Sequence, residues 1–331
     1  MAVRRRKQRR GRSYAWRYRG RIVACVFVEV LIICALVIMV GWNKGVKEWF
    51  EQFEQPVLKE VDISGINSPN AILMQAKGGK ILGEINGEAQ IYPASMTKIM
   101  TVILGIENFD DLDEKITLTD EMFAGLYEQD ATQAGFQPGE EVRVIDLLYG
   151  AMLPSGAECC IALADTISGS EADFAELMNK KAAKLGMDNT HFCDSTGLHN
   201  PDHYSTVKDI AVLMKYCIKN DTFREIIETA RHSTGVTNIH PDGITYYSTM
   251  FKNLSDPTVT GGKILGGKTG YTSEAGHCLV SFAEIEGREY IFVSAGASGA
   301  DGNTIPHIQD AVTVYNRVGA AIEAKMNDNN K

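Results

Sequence analysis

The sequence predicts an α+β fold: an antiparallel sheet built from both ends of the chain, flanked by helices, with an all-helical lobe inserted between the strands. One transmembrane helix is expected ahead of this body. Three observations carry the expectation. Period-two strand patterns occur early, in AILMQA (71–76) and ILGEING (81–87) around the turn KGGK, and late, in HCLVSFAEIEG (277–287) and EYIFVSAGA (289–297). The chain between them carries helical periodicity. The order strands, helices, strands, helix suits one sheet closed from both ends.

Taken in order, residues 1–21 hold ten of the 33 Lys and Arg residues and no acid. They read as a basic cytoplasmic tail. Residues 22–41 follow, with IVACVFVEVLIICALVIMV (22–40) broken only by Glu29. The run is too long for a secretory h-region, lacks a small-residue cleavage box, and is long enough to span a bilayer. Glu29 costs about 3 kcal/mol at mid-membrane, and thirteen Ile, Val, Leu or Phe at about −0.3 to −0.6 kcal/mol each outweigh it. The positive-inside rule then places everything after Trp42 on the extracytoplasmic side. Residues 42–65, with Trp42, Trp49, Phe50 and Phe53, read as a juxtamembrane spacer.

The body expected over 66–322 is a single large domain, with 323–331 as a tail. Helices are expected over 95–107, 142–152, 157–168, 171–185 stopped by Gly186, and 206–219 stopped by Asn220. A last helix follows in HIQDAVTVYNRVGAAIEAKM (307–326).

Composition excludes several function classes. The chain carries a net −9, and without its basic tail −19, so nucleic acid is not an expected partner. Seven cysteines, at 25, 34, 159, 160, 193, 217 and 278, show no CxxC spacing, which argues against a disulfide framework or a zinc site. Cys159 and Cys160 read as small buried residues. His199 and His203 have ligand spacing, but Pro201 breaks the helix that would align them, so no metal is expected. GKILGGKT (262–269) matches the nucleotide-binding P-loop pattern to the letter. Such a loop must leave a strand and open a helix, whereas Gly270 and Gly276 stand where the helix should be. An extracytoplasmic body also meets no ATP. No nucleotide is expected.

The same string has a second reading, with Lys268-Thr269-Gly270 at the head of a strand. Upstream, Ser95-Met96-Thr97-Lys98 opens an apolar helix, so Ser95 and Lys98 share a face. A serine hydroxyl needs a base, and a lysine serves only when its ammonium is destabilised. Burial, the positive end of the helix and a second cation, Lys268, are the expected means. A second Ser-x-x-Lys, Ser205 to Lys208, reads instead as a helix start capped by Ser205 or Thr206. Ser155-Gly156-Ala157 lies in a turn between two helices.

These three motifs, in this order and spacing, resemble those of the serine-type D-alanyl-D-alanine carboxypeptidases, the low-molecular-mass penicillin-binding proteins. The resemblance covers about residues 66–320 and extends to SGSEADFAELMNKKAAKLGMDNTHFCDSTGL, HYSTVKDIAVL and GGKTGYTSEAGHCLVSF. It implies a β-lactamase/transpeptidase-like fold and a membrane-anchored hydrolase that removes the terminal D-Ala from peptidoglycan stem peptides. It implies Ser95 as nucleophile, Lys98 as base and Ser155 as proton bridge between the lysines and the leaving nitrogen. Lys268 and Thr269 would hold the substrate carboxylate. Gly270 would let the peptide lie against the strand, and the N–H groups of Ser95 and Tyr271 would bind the oxyanion. β-Lactams would be covalent inhibitors, and no cofactor is needed.

Two departures stand out: the third residue of the middle motif, usually Asn, is Ala157, and the chain stops soon after the catalytic domain. The first, with the anchor and the basic cytoplasmic tail, supports an alternative, a catalytically weak or non-catalytic penicillin-binding sensor or regulatory protein that acylates and stays acylated. A β-lactamase of class A would need Glu-x-x-x-Asn, whereas Glu176 and Asn179 are three apart and read as a solvated helix face.

Overall fold

A computed structural model describes residues 58–299 and 305–329. The basic tail and the expected transmembrane helix lie outside the described residues. Among those described, no helix is long and apolar enough to cross a membrane.

The hairpin expected at the start is present as β1 (Asn70–Gln75) and β2 (Ile81–Ile85). That expected at the end is β9 (Gly276–Ile285) and β10 (Arg288–Ala297). Together with β7 (Thr258–Val259) and β8 (Gly262–Thr272) they form one six-stranded sheet in the order β2-β1-β10-β9-β8-β7. Strand β1 pairs antiparallel with β10, with Ile72 opposite Val293. The sheet is thus closed from both ends of the body, as the pattern implied.

Alternation sorts the side chains between two cores, because successive strand residues point to opposite faces. Ile72, Met74, Val280, Phe282, Ile291 and Val293 face the larger core, shared with most of the helices. Ala71, Leu73, Leu279, Tyr290 and Phe292 face the smaller one, closed by the last helix through Val314, Tyr315, Val318 and Ile322. The expected spacer extends too far: Leu58, Val61 and Ile63 are buried in this second core, and the Val61 N–H donates to the Leu82 carbonyl.

The helical lobe comprises α1 (Lys98–Asn108), α2 (Val144–Met152), α3 (Ala157–Ser168), α4 (Glu171–Leu185), α5 (Val207–Cys217) and α6 (Asp221–Glu228). The closing helix is α7 (Pro306–Asn329). Helix α5 starts as expected, with Thr206 accepting from the Asp209 N–H. Asn220 does not merely stop α5. Its side chain accepts from the Phe223 N–H and caps α6, which the sequence pattern had not suggested. Two short ribbons were also unforeseen: β3 (Lys115–Thr117) with β4 (Glu141–Arg143), and β5 (Arg231–Ser233) with β6 (Thr245–Tyr247). Asn179 is not part of a solvated face. Its amide bonds both the N–H and the carbonyl of Phe192, while Glu176 on the same helix is exposed and pairs with Lys180.

The P-loop-like string is strand throughout. Gly262–Thr272 forms an eleven-residue strand with a register shift between Ile264 and Gly266, so no phosphate-cradling loop or helix follows Gly267. Lys268-Thr269-Gly270 therefore sits well inside a strand and not at its head. Strand β7 covers only Gly262 and Lys263, so the outer edge of β8 beyond them pairs with no further strand among the described residues.

Candidate active site

The site forms where the turn leading into α1, the turn before α3 and the open edge of β8 converge. Ala94–Thr97 make one 3-10 turn that runs directly into α1. Ala94 adopts φ +46° and Ser155 φ +74°, both in the left-handed region that costs a non-glycine residue about 1–3 kcal/mol. Strain thus sits at both serine motifs.

Ser95, Lys98 and Ser155 are brought together. Lys98 Nζ donates to Ser95 Oγ at 3.1 Å and to the Thr196 carbonyl at 2.6 Å. Ser155 Oγ donates to Ser95 Oγ at 3.0 Å. Lys98 and Ser155 are buried, and Ser95 is half-buried, so the nucleophile candidate is the member that faces out.

Lys268 lies beneath this group with no exposed surface at all, and Nζ donates to the Thr269 carbonyl at 3.0 Å. Burial, with the Lys98 charge second, holds its proton affinity well below that of an ordinary lysine. No carboxylate pairs with it among the described residues, so its charge is uncompensated from within. A direct ion pair with a ligand is closed to it in this state. The half-buried Thr269 hydroxyl, which donates to Thr249 Oγ1 at 2.7 Å, is the group at the surface.

Gly270 is explained differently from the sequence reading. A Cβ there would meet Ser95 N at 3.0 Å, Ala94 Cβ at 3.2 Å and the Pro93 carbonyl at 3.3 Å. The obstacle is the protein's own turn: glycine lets β8 approach the Ser95 backbone. Tyr271, next along the strand, is exposed, with its ring 4.7 Å from that of His277.

The turn before α3 is pinned from beneath. Glu158 is fully buried, and its Oε1 accepts from the N–H groups of Ala134 at 2.6 Å and Gly135 at 2.9 Å. Burial pushes its carboxyl up, against the pull of those backbone bonds. The Ala157 N–H donates to the Thr132 carbonyl at 2.8 Å, and the Ala157 side chain is 2% exposed. The backbone of the 132–135 loop is thus bonded to the first residues of α3.

Cys159 and Cys160 are buried free thiols, and burial pushes Cys160 up to about 12. Among the described residues no cluster of His, Cys, Asp or Glu could hold a metal ion. His203 binds within the protein instead. It lies 3.0 Å from Asp194 Oδ2 and 2.8 Å from Thr97 Oγ1, while His199 stacks edge-on against Tyr92. Asp194, Thr97, Thr196 and Glu158 were not singled out from the sequence. Thr97 pairs with His203 and Thr196 with Lys98 across 106 and 98 residues, whereas Asp194 bonds its own loop; only the histidine carried a visible signal.

A sequence profile described as D-alanyl-D-alanine carboxypeptidase, peptidase S11, matches residues 57–299. The chain belongs to this family. Within it, the chain is 35% identical over 231 residues to D-alanyl-D-alanine carboxypeptidase DacF of Bacillus subtilis, covering 69% of this chain and 57% of that one. It is 33% identical to DacC of Escherichia coli, covering 72% and 58%. With the D-alanyl-D-alanine carboxypeptidase of Streptomyces strain K15 it shares 34% identity over 69% of this chain and 78% of the other. The crystal structure of the Streptomyces K15 DD-transpeptidase superposes with a TM-score of 0.69 at 29% identity, covering 79% of this chain and all of that one. The S11 fold, an antiparallel sheet packed by helices, is thus shared. The chain spans 57–60% of the length of DacF, DacC and the E. coli DacD.

Proposed function

We propose that the protein is a serine D-Ala-D-Ala carboxypeptidase that removes the terminal D-Ala from peptidoglycan stem peptides. The observation that carries the reading is the convergence of Lys98 Nζ and Ser155 Oγ on Ser95 Oγ, beside an open strand edge with a buried cation under it. Family membership supports it.

In this reading the stem peptide lies along the free edge of β8, with its terminal carboxylate at the Thr269 hydroxyl and in the field of Lys268. Ser95 Oγ attacks the carbonyl of the penultimate D-Ala as its proton passes to Lys98 Nζ. The oxyanion is held between the N–H groups of Ser95 and Tyr271. The C–N bond then breaks, and the proton returns from Lys98 through Ser155 Oγ to the departing D-Ala nitrogen. Water, deprotonated by Lys98, attacks the Ser95 ester and frees the shortened peptide. A β-lactam enters the same first step and leaves a stable ester. Residues 22–41 anchor the body to the outer face of the membrane, with residues 1–21 in the cytoplasm.

Ala157 favours a second reading, a sensor that acylates without release. The full chain is tested for D-Ala release from an acyl-D-Ala-D-Ala peptide and for labelling by a fluorescent penicillin. Release and labelling that vanish in Ser95→Ala but survive in Ser205→Ala are expected. Labelling without release selects the sensor, and neither in the wild type rejects both.

A further inference from the structure

The loop Asp194–Gly197 is stitched to the turn and first turn of α1 that carry Ser95 and Lys98. Thr101 Oγ1 donates to the Ser195 carbonyl at 2.5 Å, and Lys98 Nζ to the Thr196 carbonyl at 2.6 Å. A Cβ at Gly197, which holds φ +80°, would overlap the Ala94 carbonyl, so the two segments are in backbone contact.

One carboxylate organises this loop. Asp194 Oδ1 accepts from the Thr196 N–H at 2.7 Å, Thr196 Oγ1 at 2.7 Å and the Gly197 N–H at 2.6 Å. Its Oδ2 lies 3.0 Å from His203 Nδ1. The Cys193 N–H also lies 3.2 Å from that nitrogen, so the two contacts compete. The carboxylate is the stronger partner and fixes the proton on Nδ1. Nε2 is then an acceptor for the Thr97 hydroxyl at 2.8 Å, inside the Ser95-Met96-Thr97-Lys98 turn. Burial alone would raise the Asp194 carboxyl. Hydrogen bonds from His203, Thr196 and Gly197 instead hold it well below the usual carboxylate range.

The chemistry needs such a device. A neutral lysine amine has two N–H bonds and one lone pair, and it accepts the Ser95 proton only when the lone pair faces Ser95 Oγ. A carbonyl that takes one N–H removes most of the amine's rotational freedom. A base oriented by a third group is the general arrangement for an activated nucleophile.

We infer that Asp194 and His203 are positioning residues. Asp194 aims the Thr196 carbonyl that orients the Lys98 amine, and His203 locks the Thr97 hydroxyl so that the Ser95 turn keeps its register on that loop. The inference rests on the proposed role of Lys98 as base. Neither residue hydrogen-bonds to Ser95, Lys98 or Ser155; each acts through a neighbour.

The test compares wild type, Asp194→Ala, Asp194→Asn and His203→Gln as full chains, reading the rate of acylation by a fluorescent penicillin, and kcat and KM for an acyl-D-Ala-D-Ala peptide. A misaligned base acts on the chemical step and not on substrate binding. Asp194→Ala is expected to lose about 10²-fold in acylation rate and kcat, with KM changed by less than about threefold. Asp194→Asn keeps an oxygen for the Thr196 and Gly197 N–H groups and should recover to within about tenfold of wild type. His203→Gln still reaches Thr97 but has no ring proton for Asp194, and it should fall between the two. Wild-type kcat in Asp194→Ala, or a loss confined to KM, overturns the inference. If Asp194→Ala does not fold, wild-type acylation and kcat in both Asp194→Asn and His203→Gln overturn it. A wild type that neither acylates nor releases D-Ala removes the proposed function, and this inference with it.

Discussion

The hydroxyl of Ser155 donates to that of Ser95 over 3.0 Å, across a sequence separation of 60, from a residue held at φ +74°. The contact is bought with backbone strain. Glycine adopts this conformation without penalty. Ser155→Gly should therefore stabilise the protein by about 1 kcal/mol, a Tm rise of about 2–4 °C, while kcat falls at least about tenfold. Unchanged kcat, or a lower Tm, would mean the turn is not strained for the sake of the hydroxyl.

Lys268 poses a similar opposition between stability and activity. Because the folded state holds its proton less tightly than the unfolded chain does, the charged form costs stability at every pH below the ordinary lysine range of about 10.5. Replacing a buried charge by an apolar side chain of similar length relieves that cost. Lys268→Met should melt a few degrees higher at pH 7, with the gap narrowing as pH rises toward 10, and should lose about 10²-fold or more in D-Ala release. Thermal melts at pH 6 to 10, beside the activity assay, decide it. A variant less stable than wild type at neutral pH contradicts the buried-charge account.

Ala157 is buried, 2% exposed, where a longer polar side chain usually stands. Its neighbours are fixed by the Thr132 carbonyl and by Glu158, which grips the 132–135 loop. Ala157→Asn should destabilise the fold by about 1–3 kcal/mol, as overpacking does, and leave kcat/KM no more than about threefold higher. A tenfold rise without loss of stability would show that the loop yields easily.

His307 is buried against the stacked ring of His277, its Nδ1 has no hydrogen-bond partner among the described residues, and it is depressed from 6.5 to about 4. Burial is the main cause, the His277 charge adds to it, and Asp310 opposes it. The folded state resists a proton that the unfolded chain accepts, so stability is lost as pH falls from 6.5 toward 4, by up to about 3 kcal/mol. His307→Phe keeps a ring and should flatten that limb in urea titrations at pH 7, 5.5 and 4.5. Equal slopes in both proteins rule His307 out as the cause.

The sequence made the two terminal hairpins and the helices α3, α4 and α7 readable because their apolar periods are clean. Strand β8 was harder. Gly262, Gly266, Gly267 and Gly270 erase the alternation that marks a strand and mimic a phosphate loop. The three-residue ribbons are too short to show a period, and Asn220 was read for one of two signals it carries. At the site, Ser95, Lys98, Ser155 and Lys268 were legible as residue types in order, and the structure brings them together. The support beneath them was not. Asp194, His203 and Thr97 meet only through loop packing, and no spacing rule encodes that. The burial of Lys268 likewise follows from the strand's place in the sheet and not from its motif.

Strand β1 begins the sheet at Asn70 and pairs with β10, whose residues 290–295 are among the last of the body to be made. Asp310 on α7 in turn accepts from the backbone and side chains of both Asn67 and Ser68. During synthesis neither contact is available until nearly the whole body has emerged, so the sheet cannot close on a partial chain. A nascent polypeptide with this topology stays open until β10 and α7 have both emerged.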